Sequence, residues 1–124
     1  GTVWPFDNSF IAWGLRRYGF AREAGRIAEG IIDAAESFDG RLPEAFGGYD
    51  RELTANPTPY PVANCPQAWS TGAPLLLLRI VLGLEPYGDD LVVAPMLPNR
   101  FGRIELLDIP GRWGRVDAIG TVEE

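Results

Sequence analysis

Carboxylates, arginines and aromatic rings are the side chains of this chain that could do chemistry. The sequence contains no His and no Lys, and its single Cys is Cys65. Without His, the chain lacks the commonest metal ligand and the usual base for a Ser or Cys nucleophile. A lone Cys forms neither an internal disulfide nor a Cys-rich zinc site, and we expect it to be a small buried residue. This inventory suits sugar chemistry, and we predict no metal and no cofactor.

Glu44 is a carboxylate in a segment, residues 39–65, whose glycines and prolines prevent a regular element. Phe46 and Tyr49 follow it, and the two glycines between them permit close approach of the backbone. A long irregular segment inside a compact domain is often functional. By residue type alone, however, an acidic side chain in a loop is most often simply solvated.

The charge balance disfavours nucleic acid as a partner. The chain has 17 acidic and 11 basic residues and a net charge of −6, and an acidic domain without a basic cluster repels phosphate backbones. Its hydrophobic content of 46% is typical of a globular protein. No stretch approaches the roughly 20 apolar residues that span a bilayer. No signal peptide is visible and the first residue is not Met, so we expect a cytoplasmic protein whose natural sequence starts further upstream.

Two helices are predicted in the first third of the chain. Residues 7–18 form the first, with Asp7 or Asn8 as N-cap and Gly19 as the stop. Residues 20–37 form the second, because apolar residues recur there at spacings of three and four. The short link around Gly19 predicts an antiparallel helical hairpin.

A third helix is predicted from about Pro66 to Leu82, with a kink or interruption at Gly72 and Pro74. Its second half is apolar on nearly all sides. Such a helix needs neighbours around it, and two amphipathic helices do not easily supply them. The sequence therefore predicts that this helix is covered by a further part of the protein or by self-association.

The rest of the chain has the pattern of short strands. Residues 91–94, 103–107 and 115–119 are β-branched or alternating runs that Pro and Gly separate. They predict a small antiparallel hairpin or meander packed on the helices. The predicted organisation is thus a helical segment, residues 1–84, followed by a β-containing tail, residues 85–124.

Four blocks of sequence together carry a resemblance to a known family. They are residues 1–8 (GTVWPFDN), 41–48 (RLPEAFGG), 59–62 (PYPV) and 65–69 (CPQAW). Their order and spacing, with the Leu-rich helix behind them, resemble the carboxy-terminal region of the bacterial amylo-α-1,6-glucosidase (glycogen-debranching) family of six-hairpin glycosidases. The resemblance covers essentially the whole chain.

This resemblance implies a fold and a reaction. The family fold is an (α/α)6 barrel of six helical hairpins, so this mainly α chain would hold its last quarter. The family reaction is inverting hydrolysis of an α-glycosidic bond, which needs a general acid and a general base roughly 6.5–9.5 Å apart. Glu44 matches the position of the base. The acid would lie upstream of Gly1, so we expect the isolated chain to be inactive.

Other residues of the matching blocks are candidates for sugar binding. Aromatic rings at loop–helix junctions could stack on sugars, although core packing is the alternative for each. Asp7 contacts hydroxyl groups or caps a helix, and Arg41 and Gln67 bind sugar or brace the loop. Asp50 and Arg51 are expected to form a local, solvated ion pair. The predicted substrate-binding residues are Trp4, Phe6, Asp7, Arg41, Tyr49, Tyr60, Gln67 and Trp69.

Two functions of different classes remain open from the sequence. The first is an enzyme fragment that acts on an oligosaccharide or glucoside, with an upstream barrel portion covering the third helix. The second is a stand-alone carbohydrate-binding or self-associating module without catalysis, and a degenerate or truncated product that folds but has no activity is the blander alternative. Neither predicts nucleic acid or a membrane as a partner.

Overall fold

The computed structural model describes residues 1–122. Residues 123 and 124, the end of the predicted tail, lie outside the described residues. Three helices and small antiparallel hairpins are confirmed. In chain order the elements are β1 (Thr2–Val3), α1 (Pro5–Arg17), α2 (Ala21–Glu36), β2 (Phe46–Gly47), β3 (Thr58–Pro59), α3 (Ala68–Leu82), β4 (Leu84–Tyr87), β5 (Asp90–Val93), a 3-10 turn (Asn99–Phe101), β6 (Arg103–Gly111) and β7 (Gly114–Thr121).

Helix α1 begins two residues earlier than the sequence suggests. Pro5 occupies the first turn and Trp4 is the N-cap, without a side-chain hydrogen bond. Pro is favoured there because its missing N–H would be unsatisfied anyway and its φ is already helical. The prediction that Asp7 or Asn8 caps the helix is therefore wrong. Asp7 lies in the first turn, where its negative charge suits the helix dipole.

The link between α1 and α2 has the predicted stop at Gly19. Gly19 has a φ of 89°, which favours Gly. The amide of Phe20 donates to the carbonyl of Leu15 at 2.9 Å, and the amide of Gly19 donates to Arg16 at 3.2 Å. These two bonds form a Schellman motif. The chain then returns directly along α1, and the two helices pack together.

The core lies where α1, α2 and α3 meet. Alanines on α2, including Ala24 and Ala28, are fully buried and let the helices approach closely. Leu77, Ile80 and Val81 of α3 fill the centre of the same cluster. Burial of each such aliphatic side chain contributes about 1.5–3 kcal/mol. The three helices thus position the amino-terminal ends of α1 and α3, which carry predicted site residues.

Helix α3 begins at Ala68, two residues after the predicted start at Pro66. Gln67 is the N-cap, and its side-chain Oε1 accepts a hydrogen bond of 2.8 Å from the Ala68 amide. The sequence predicts a kink or an interruption at Gly72 and Pro74; the helix is continuous through both residues, so an interruption is wrong. Packing of the flanking turns in the core outweighs the one helical bond that Pro cannot donate.

The apolar surface of the helices is only partly covered within residues 1–122. Leu75 of α3 is exposed, as are Phe10 and Ile11 of α1. The accessible surface of the chain is 8111 Å². A compact monomer of 13.6 kDa exposes about 6,600 Å². The chain therefore exposes roughly 1,500 Å² more than a compact monomer of its mass.

A three-stranded antiparallel sheet, which the sequence did not predict, organises the segment 39–65. Strand β2 is central, pairing Phe46 with Val3 of β1 and with Pro59 of β3. The amide of Gly48 donates to the carbonyl of Gly1 at 2.9 Å and extends the pairing. The segment that carries Glu44 is thereby fixed against the start of α1.

The tail forms two separate hairpins, β4–β5 and β6–β7, rather than one hairpin or meander. Strand β4 follows α3 after Gly83 alone, so strand structure begins inside the segment predicted as helical. The predicted runs 91–94, 103–107 and 115–119 overlap β5, β6 and β7, of which β6 and β7 are longer than predicted. The hairpins pack on the end of α3 through a second apolar cluster that contains Leu82 and Ala118. Within residues 1–122, no helix is both long and apolar enough to cross a membrane.

Candidate functional site

A cleft of about 220 Å³ lies between the amino-terminal ends of α1 and α3 and the segment that leads into β2. It brings together six of the nine predicted site residues, which are far apart in the sequence. Two helix amino termini, with their partial positive charges, border it. We call it the Glu44 cleft, and its lining residues are Trp4, Phe6, Asp7, Glu44, Gln67, Trp69 and Ser70.

Glu44 is held in the cleft by Asn64. The Glu44 amide donates to the Asn64 carbonyl at 2.7 Å. In return, the Asn64 amide and side-chain Nδ2 both donate to Glu44 Oε2, at 3.2 and 3.3 Å. Within residues 1–122, the second carboxylate oxygen, Oε1, has no hydrogen-bond donor. One oxygen of this half-buried carboxylate is thus oriented by the protein.

The backbone just before Glu44 is anchored to the start of α3. The buried Ser70 hydroxyl donates to the Pro43 carbonyl at 2.7 Å, and the Gln67 amide donates to the Leu42 carbonyl at 3.2 Å. Leu42, Pro43 and Ala45 are themselves buried. Because its neighbours are buried and bonded, Glu44 cannot swing away from the cleft with a mobile loop.

Aromatic rings form an apolar wall of the cleft. The rings of Phe6 and Trp69 lie 5.0 Å apart between centroids, at 38°. Trp69 is 68% exposed and Trp4 is 41% exposed, so their faces are available to a ligand. The indole nitrogen of Trp4 donates to the Thr2 hydroxyl at 3.1 Å, which fixes that ring. Such a wall fits the C–H face of a sugar ring.

Asp7 is a second carboxylate in the cleft. It is exposed and projects from the first turn of α1. The start of that helix is fixed by Asn8, whose side-chain Nδ2 donates to the Trp4 carbonyl at 2.9 Å. The cleft therefore presents two carboxylates, a carboxamide and an aromatic wall.

Three predicted site residues lie outside the cleft. Arg41 lines a separate groove beside Pro66. Tyr49 lines a larger cavity against α2. Tyr60 is exposed beyond β3. The alternative of core packing does not apply to Trp4, Trp69, Tyr49 or Tyr60, all of which are exposed, whereas Phe6 is half-buried.

Two further predictions about this region are wrong. Cys65 is exposed instead of buried, with its thiol 3.8 Å from the Arg41 carbonyl, because its segment runs along the surface before α3. Arg51 pairs with Asp33 of α2, not with its neighbour Asp50. Asp50 instead accepts a hydrogen bond of 3.0 Å from the Glu52 amide.

Sequence reasoning missed Asn64 and Ser70. Each acts through a contact between residues 20 or more positions apart, and neither belongs to a pattern of spacing that could identify it. Among residues 1–122, no group of three or more His, Cys, Asp or Glu is arranged to hold a metal ion.

A scan against models of protein families gives no match to this chain, and a search of curated proteins gives none either.

Proposed function

We propose that this chain forms the base-bearing wall of the active site of an inverting α-glycosidase, an (α/α)6 barrel of the amylo-α-1,6-glucosidase type. The observation that carries the proposal is the convergence of three resembling blocks on one cleft. The first block contributes Trp4, Phe6 and Asp7, the second Glu44, and the last Gln67 and Trp69, and all of them line the same surface. Core packing alone does not require exposed aromatic rings to surround a bonded carboxylate.

In this proposal Glu44 is the general base. Its Oε1 accepts a proton from the water that attacks the anomeric carbon, while Asn64 holds Oε2 in place. The general acid stands on the opposite side of the sugar and is supplied by a part of the protein outside this chain. The isolated chain therefore binds at most one side of its substrate and does not catalyse.

The dimensions of the Glu44 cleft support the proposal that it is one wall of a larger site. Enclosed small-molecule sites have volumes of roughly 300–1,000 Å³. The Glu44 cleft has about 220 Å³ and is open. The chain exposes more surface than a compact monomer, and the exposed residues include the apolar Leu75, Phe10 and Ile11. Both observations support the proposal that further helices of a barrel pack against α1 and α3.

The test is hydrolysis by the protein as its native host produces it, whose intact mass is measured first. Maltotriose and isomaltose are the substrates. We expect Glu44→Gln to lower the rate by about 10²–10⁴-fold, because a positioned general base contributes that factor. The matched control is Glu52→Gln, which neutralises an exposed carboxylate of the same segment outside the cleft.

The product distinguishes the mechanism. NMR of the freshly released sugar should show the β-anomer, because inversion at an α-linkage gives it. Release of the α-anomer, or a near-normal rate for Glu44→Gln, contradicts the proposal.

A second candidate function is a stand-alone carbohydrate-binding module that self-associates. The exposed apolar face of α1 and α3 favours it, because monomers rarely expose large apolar patches. Light scattering of the chain tests it: we expect a dimer or larger species that Leu75→Glu disperses. A strictly monomeric wild-type chain contradicts this function.

A further inference from the structure

A second cavity, of about 620 Å³, lies between α2 and the segment that follows β2. It is open to solvent, as the Glu44 cleft is, and its volume is in the range of small-molecule sites. It shares no lining residue with the Glu44 cleft. We call it the Tyr49 cavity, and its polar or aromatic lining includes Asp33, Glu36, Tyr49, Arg51, Asn56 and Arg100.

Three connected ion pairs, formed by two arginines and two carboxylates, line the Tyr49 cavity. Asp33 accepts from both terminal nitrogens of Arg51 at 3.3 and 3.2 Å, and its other oxygen contacts Arg100. Arg100 also donates to Glu36 at 2.7 Å. Two arginines and two carboxylates cancel in formal charge. The cavity therefore has no net charge to attract an anion or a cation, but it presents donors beside acceptors.

Tyr49 supplies an apolar wall of the cavity. Its ring lies against the backbone of Gly47, where an added Cβ would come within 3.0 Å of the ring carbon Cε2. The absence of a side chain at Gly47 thus lets the ring approach the backbone of β2 closely. The Tyr49 side chain is nevertheless 61% exposed, so most of it remains available to a ligand.

We propose that the Tyr49 cavity is a second ligand site, for a neutral polyhydroxylated ring such as a sugar. Each hydroxyl group of a sugar can both donate and accept a hydrogen bond. Neighbouring hydroxyl groups can therefore bind a carboxylate and a guanidinium group that lie side by side, and they add no charge to the cavity. The C–H face of the same ring packs on Tyr49. This site does not rest on the proposed hydrolase, because the argument uses neither Glu44 nor the cleft.

Titration of the ¹⁵N-labelled chain with maltotriose, followed by amide NMR, tests the proposal. We expect the amides of Thr54, Ala55 and Asn56, which line the cavity, to shift on binding. Tyr49→Ala should weaken this binding about tenfold or more, which corresponds to loss of one well-packed ring. Tyr49→Phe keeps the ring, so its dissociation constant for maltotriose should stay within about threefold of the wild-type value. Tyr87→Ala, an exposed tyrosine on β4, is the matched control.

Three results overturn the proposal: cavity amides that do not move at millimolar maltotriose, equal shifts in wild type and Tyr49→Ala, or shifts caused by glucose 6-phosphate but not by neutral sugars. The amides of Gln67 and Trp69 report the Glu44 cleft in the same spectra. Glu44→Gln should leave binding in the Tyr49 cavity unchanged, so failure of the hydrolase function and failure of this site are distinguishable.

Discussion

The amide of Glu44 donates to the carbonyl of Asn64, and Asn64 returns two hydrogen bonds to the carboxylate of Glu44. The two residues are 20 positions apart, and the strands β2 and β3 lie between them in the sequence. This reciprocal pair orients one carboxylate oxygen and closes the segment into a fixed loop.

Asn64→Ala should lower the free energy of unfolding by about 0.5–1.5 kcal/mol, because one side-chain bond to the carboxylate is lost while the backbone bonds remain. Glu44→Gln should change it by less than about 0.5 kcal/mol, since the amide oxygen still accepts from Asn64. Urea unfolding monitored by circular dichroism measures both. A large loss of stability in Glu44→Gln would show that this variant tests folding as well as chemistry.

Ser70→Ala should destabilise the chain by about 1–3 kcal/mol, because the buried Pro43 carbonyl loses its donor. Ser9→Ala is the matched control. Ser9 is buried to the same extent, but its hydroxyl donates within α1 to the Phe6 carbonyl, which also lies in the helical ladder. Its removal should cost less than about 1 kcal/mol. Thermal unfolding compares the two, and equal losses would contradict an anchoring role for Ser70.

Gly83→Ala should be severely destabilising, by more than about 3 kcal/mol. Gly83 has a φ of 62°, and an added Cβ would collide with the Ala94 carbonyl and the Arg16 side chain. Gly88→Ala has the same backbone strain at a φ of 59° but open space around the Cβ, so we expect a cost of about 1–2 kcal/mol. The denaturation midpoints of both variants are measured in urea. The difference between them gives the cost of the collision, because Gly88→Ala has the backbone strain alone.

Arg79→Ala should weaken the attachment of β4 to α3. Arg79 donates to the Leu84 carbonyl at 3.0 Å, pairs with Glu85 at 2.9 Å and lies over the Trp13 ring at 5.5 Å. These groups are partly exposed, so we expect a loss of about 1–2 kcal/mol.

Arg112→Ala is the control for Arg79→Ala. Its ion pair with Asp89 spans 3.2 Å between side chains that are 81% and 78% exposed. Its removal should cost less than about 0.5 kcal/mol. Unfolding in urea at low and moderate salt measures both variants. A larger loss of stability for Arg112→Ala than for Arg79→Ala would contradict the expectation that partly buried contacts contribute more than exposed ones.

The sequence predicts the helices because their signals are local. The apolar stripe of α2 and the stop at Gly19 each depend on residues within a few turns. The N-cap of α1 was misassigned because Asp7 and Pro5 both mark a helix start, and the proline prevailed. The sheet β1–β2–β3 could not be predicted, since strands of two residues form only when distant segments meet.

The candidate site, like the fold, is predictable from the sequence only where the signals are local. Sequence blocks identify Glu44 and the aromatic residues of the cleft, but they do not tell which blocks converge. Tyr49 lies near Glu44 in the sequence, yet it lines a different cavity. Arg51 prefers Asp33, which is 18 positions away on α2, over its immediate neighbour. Such pairings depend on tertiary packing that no local pattern encodes.

The hairpin β6–β7 has two outer edges with which no strand of the described part of the chain pairs. Open edges invite intermolecular pairing and aggregation. Here the ribbon carries charged side chains on both strands, Pro110 in β6 and an irregularity between Leu106 and Ile109. These features are the ones by which proteins blunt edges. The hairpin can therefore remain in water without pairing its open edges with the strands of other chains.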